Sequence, residues 1–208
     1  MQSGVVRRRP SSPTPVLLAL LAAVQLAACA ADREWLNSDR IEARFGSYGV
    51  EILSQTPRRR ISSLYSETDG ERTMRTYAVV DFLAPDRDAY ANEHRRIVDG
   101  ASSGATLRAA GWTLTKQHRY IGAFVVPPAY RDIARHMRIT LPEELATHVY
   151  VLVIGRDDRE YDYATITEVH HPDYLDAAAL RAIYGEILFD DSDRDALSDY
   201  IGVPESRK

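Results

Sequence analysis

A single cysteine, Cys29, in a chain of 208 residues constrains the fold more than any other feature, because no intrachain disulfide can form. Whatever follows residue 29 must be held together by a packed core. The composition permits one: apolar residues make up 45% and charged residues 27%, which is the balance of a folded globular chain rather than a disordered or collagen-like one. A chain of about 180 residues buries about 70% of its unfolded surface. The formal net charge of −4 supplies no basic field, so no nucleic-acid partner is expected.

The residues around Cys29 set the address. Arg7, Arg8 and Arg9 precede an apolar run from Val16 to Val24, which ends in Leu26-Ala27-Ala28-Cys29. This is the layout of a secretory leader: a positive stretch, about 7–15 apolar residues, then small residues at the cut. The run falls short of the roughly 20 residues of a membrane-crossing helix. Leu26-Ala27-Ala28-Cys29 resembles the lipobox of bacterial lipoprotein precursors. The resemblance implies a signal peptide over 1–28 and a diacylglycerol and palmitate anchor on Cys29. The absence of Asp after the cysteine implies export to the outer membrane, facing the periplasm. The lone thiol agrees, since acylation consumes it before it meets an oxidising compartment. Removal of the three arginines shifts the formal net charge from −4 to −7.

Residues 29–37 read as the acylated cysteine and a short tether, and a tether of eight residues spans at most about 28 Å. Residues 38–208 carry no linker or repeat and read as one globular domain. Strand patterns fall at 48–54, 61–66, 73–83, 112–126, 149–154 and 161–169. Turn residues separate the first three, and a 155–160 turn pairs the last two. The continuous apolar run at 149–154 reads as a strand buried on both faces. Helical spacing falls at 38–45, from Asp86 to Gly100 with Tyr90, His94 and Ile97 on one face, in a short stretch up to Gly111, and at 130–137, 173–188 and 192–200. The expectation is an α+β domain with a mainly antiparallel sheet of about six strands and helices packed on it.

Gly100-Ala101-Ser102-Ser103-Gly104 matches the G-x-S-x-G pattern of a nucleophile elbow, with His170, His171, Asp162 and Asp173 downstream. An elbow needs a buried strand before it. The preceding residues read instead as a helix, so Gly100 is taken as its stop and Ser102 or Ser103 as the next N-cap. Glu168 and His170 share a strand face, with Asp173 past the turn. They form the best metal-ligand candidate set and need a third ligand, His118 or His148. The alternative is a polar strand end. His94 is read as a core-edge histidine. Asp191, Asp193 and Asp195 imitate a calcium loop that fails at Ala196 and Gly202 and fit a helix start instead. Arg58-Arg59-Arg60 reads as an exposed turn which, beside a membrane, could contact anionic headgroups.

The resulting expectation is a lipid-anchored envelope lipoprotein at the outer membrane. It is read as a non-catalytic binding or assembly component without a cofactor. Its partners are the bilayer, through acylated Cys29, and an envelope protein or small molecule. The alternative is an envelope hydrolase, metal-dependent through Glu168 and His170 or serine-dependent through Ser102.

Overall fold

The structure, a computed structural model, describes residues 35–126, 131–140, 144–187 and 200–201. The leader, Cys29, the first tether residues, the aspartates near 191–195 and nearly all of the expected 192–200 helix lie outside the described residues.

Six strands form one open antiparallel sheet: β1 (Gly49–Gln55), β2 (Arg59–Thr68), β3 (Glu71–Phe82), β4 (Thr113–Val125), β5 (Glu144–Arg156) and β6 (Arg159–His170), in the order β1-β2-β3-β6-β5-β4. Two three-stranded meanders thus meet through β3 and β6. Five helices accompany them among the described residues: α1 (Asn37–Phe45), α2 (Ala91–Val98), α3 (Ser103–Ala109), α4 (Arg131–Met137) and α5 (Ala177–Tyr184), with a 3-10 turn over Asp88–Tyr90. The expected α+β class and all six strands are present.

Alternation along each strand separates two faces. One face presents Val80, Phe82, Tyr150, Leu152, Ile154 and Ile166, which pack with Tyr90, Ile97, Leu107 and Trp112 of the β3–β4 connection. Its other end packs Ala78, Ala146 and Ile121 against Ile41 of α1 and Leu180 and Tyr184 of α5. The opposite face sets Tyr77, Val79, Leu145 and Val169 against Ile133 and Met137 of α4 and against Ile201. With both faces covered, residues Leu145–Ile154 are buried without interruption. The strand begins five residues before the expected one because Thr147 and His148, which interrupt the apolar run, are both fully buried.

Two tight hairpins set register. Asp69 and Gly70 (φ 53° and 81°) join β2 to β3, and Asp157 and Asp158 (φ 51° and 60°) join β5 to β6. Positive φ at both central residues is the turn that matches the twist of a hairpin. The β3–β4 connection carries α2 and α3 over one face of the sheet. There Gly104 lies so close to Leu36 that an added Cβ would stand 2.1 Å from Leu36 Cδ1. That contact brings the start of α3 against the start of α1 and builds the rim of the site.

Candidate functional site

Between α1, α3 and the sheet lies a cavity of about 80 Å³. Its walls are mostly apolar, formed by residues such as Leu36, Val50, Leu64, Val80, Leu152 and Ile166. Set into them are a few polar side chains: Asn37, Ser38, Tyr48, Arg60, Ser62, Ser102, Ser103, Tyr150 and Glu168. An apolar hollow with a small number of placed polar groups is the usual form of a small-molecule site. A wider, shallower depression lies between Gln55–Pro57 and α2 and is lined by His94 and Arg95. His94 is taken up there by Tyr163, 3.0 Å from Nδ1 to the phenol oxygen, and stacks edge-on against Phe82, as a core-edge histidine should.

Strand pairing explains the polar positions. Arg60 pairs with Val80 and Val80 with Ile166, while Ser62 pairs with Ala78 and Ala78 with Glu168. Arg60 and Glu168 therefore belong to neighbouring cross-strand rows on the same face, two strands apart. Arg60 is only 2% exposed. Its Nη1 donates to Ile97 O at 3.1 Å and Ala101 O at 2.9 Å, holding the carbonyls at the end of α2. Burial lowers its pKa, and the groups opposing that are the phenols of Tyr48 and Tyr163. Burial raises the Tyr48 phenol, against the opposing effect of Ser102 and Arg60.

Glu168 is buried with Tyr150, whose hydroxyl donates to Oε1 at 3.3 Å. Burial raises the Glu168 carboxyl, against the pull of Lys116 and Arg40. Behind it stands a file of polar groups: His148 Nδ1 is 3.9 Å from Oε2, and His148 Nε2 lies 2.8 Å from His118 Nδ1. Burial pushes His148 well down, so the low-polarity surroundings oppose the charge on both members of the contact. His170 sits one row further on, 3.0 Å from Thr76 Oγ1, with its pKa lowered by burial to about 3. Thr76 in turn accepts from Asn37, and Asn37 accepts from Tyr174.

The suspected metal ligands are distributed differently from the expectation. Glu168 and His170 do share a buried face, and His148 adjoins Glu168, with His118 beyond it. Asp173, in contrast, carries a side chain 79% exposed. Among the described residues no three or more His, Cys, Asp or Glu side chains are grouped so that they could hold a metal ion. The two stacked imidazoles bond each other instead of converging on one point.

Ser102 occupies the N-cap position of α3, yet its side chain makes no cap bond and lines the cavity together with Tyr48. A helix precedes it, with Gly100 at φ 115°. Ser102 shares the cavity with Glu168, and no described histidine lines that cavity. The arginine triplet needs a correction. Arg58 is exposed, but Arg59 forks onto Asp81 with Nε–Oδ1 at 2.5 Å and Nη2–Oδ2 at 2.8 Å, and Arg60 is buried in the cavity wall. Strand β2 starts at Arg59, so adjacent arginines point to opposite faces and cannot form one basic tip. Of the polar cavity residues, Asn37, Ser38, Tyr48, Ser62 and Tyr150 have no place in any site expected from the sequence, and Arg60 is expected only in a membrane-facing turn.

No protein-family model matches the chain, and no curated protein sequence matches it either.

Proposed function

We propose that the chain is a lipid-anchored envelope lipoprotein, held at the outer membrane through acylated Cys29, whose globular part binds a small molecule. The cavity is the observation that carries the binding reading: a largely apolar hollow whose polar groups converge from α1, α3, β2, β5 and β6. Leu26-Ala27-Ala28-Cys29 supports the anchor. Hydrolysis through Ser102 would need a base beside it, whereas binding requires only the shape and polarity described. Ser102 and Glu168 act in this reading as wall groups.

Two measurements test it. Labelling cells with a palmitate analogue should mark the wild-type protein and leave Cys29→Ser unlabelled and released from the membrane fraction; equal labelling of both would defeat the anchor. Native mass spectrometry of the full acylated protein, released from detergent micelles, should show an additional small mass that is lost on denaturation. A bare protein under every gentle condition, with no shift on metabolite addition, would remove the binding reading.

A further inference from the structure

We propose that the cavity takes a small organic monocarboxylate, its carboxylate gripped by the Nε and Nη2 edge of Arg60 and its apolar body set against Val50, Val80 and Ile166. The inference rests on the binding reading above and adds a ligand class to it.

Among the described residues that line the cavity, Arg60 is the one cation. It is 98% buried, and its Nη1 is committed to the two carbonyls of Ile97 and Ala101. Nε is buried without an acceptor among the described residues, and none of them accepts from Nη2. Nor does any described carboxylate stand within ion-pair distance; the oxygens that answer its charge are the phenols of Tyr48 and Tyr163. A buried cation without a counter-charge is costly, and an anion entering the cavity offsets that cost.

The molecule contains its own example of the required geometry. Arg59, one residue away on the opposite face, places Nε and Nη2 on the two oxygens of Asp81. The same edge of Arg60 lacks such a carboxylate. The planar guanidinium fork matches a carboxylate in two parallel bonds.

Three further features narrow the class. One cation suits one negative charge. The apolar walls suit a hydrocarbon body rather than a polyol. A volume of about 80 Å³ holds roughly five to eight non-hydrogen atoms, at about 10–15 Å³ per water-sized centre. Glu168 at the other wall would repel a second carboxylate whenever it is ionised, which disfavours diacids.

The test uses the full acylated protein in detergent micelles, titrated with butyrate, with the neutral isostere butyramide and with inorganic phosphate. Binding is followed by calorimetry and by the 15N–1H resonance of Arg60 Nε, assigned by its loss in Arg60→Met. Butyrate should move that resonance to a saturating endpoint, and butyramide and phosphate should bind at least tenfold more weakly. Arg60→Met should lower butyrate affinity at least tenfold. Because this variant also gives up two main-chain bonds and could fail to fold, the calorimetric ranking of butyrate, butyramide and phosphate on the wild type decides without it. Butyramide or phosphate binding as tightly as butyrate overturns the monocarboxylate. A retained small mass in native spectra beside an unmoved Arg60 resonance overturns it too and leaves the binding reading standing. Neither retained mass nor titration response overturns both.

Discussion

Glu168 meets two opposed demands, since its carboxyl is buried among apolar walls yet faces Tyr150 and the end of a histidine pair. Its pKa is raised in the folded chain. A raised carboxyl binds its proton more tightly when folded, so its contribution is fully present below the unfolded value of about 4.3 and is lost as pH rises through the folded value. Glu168→Gln keeps the shape and an acceptor for Tyr150 while removing that titration. The variant should melt with the wild type near pH ~4 and above it near pH ~8, by about 2–4 °C for each kcal/mol recovered. A variant that melts lower at both pH values would mean that the ionised carboxylate is stabilised in place. The sequence made Glu168 visible as an ionisable residue on a strand face, but for metal chemistry. It hid Arg60, because a run of three arginines beside Pro57 reads as solvated surface, and only the register of β2 on β3 turns one of them inward.

Helix α1 is short, yet its first turn walls the cavity with Asn37 and Ser38, and its hold on the sheet runs through Ile41, which is fully buried. Arg40 adds a bond from Nη1 to the Tyr184 hydroxyl of α5 at 3.0 Å, and Arg108 of α3 meets Asp39 at 2.7 Å. Apolar burial outweighs the partly exposed Arg108–Asp39 pair, since exposed pairs contribute about 0–1 kcal/mol. Ile41→Ala should therefore cost about 2–5 kcal/mol in denaturant unfolding, and Asp39→Ala less than about 1 kcal/mol. An Asp39 loss equal to that of Ile41 would reverse the ranking. Gly104→Ala tests the neighbouring contact: its Cβ forces Leu36 to move, and a loss of about 1–3 kcal/mol is expected from overpacking. At this scale the sequence was a good guide, because alternation and turn residues are local signals. The β5 start was not legible, since a buried Thr147 and His148 look like loop residues until their neighbours across the sheet are known. The 173–188 helix was read too early for a similar reason: His171 N donates to Arg75 O and Asp176 caps the helix by accepting from Ala179 N, so the chain turns before α5 begins.

The whole molecule carries an acid-sensitive core because His148 and His170 are buried on one face of the sheet and His94 of α2 is buried over the same face. His148 is pushed well down, His170 to about 3, and His94 is also lowered, in each case chiefly by burial. A histidine whose folded pKa is depressed leaves the folded chain short of a proton that the unfolded chain takes up. Its stabilisation is complete above the unfolded value of about 6.5 and drains away as pH falls from there toward the folded value. Each such residue costs about 1.4 kcal/mol per pH unit within that window. Glu168 works in the opposite sense, so between about pH 6.5 and about pH 5 stability should fall, by less than the three imidazoles alone would take. That window lies above the ordinary carboxylate range, which assigns the loss to imidazoles rather than to exposed ion pairs. Guanidinium unfolding of the full chain at about pH 7.5, 6.5 and 5 measures it directly. The unfolding free energy should hold steady between the first two and fall between the last two. A flat profile down to pH ~5 would mean that the three imidazoles are protonated within the fold, contrary to the burial that isolates them.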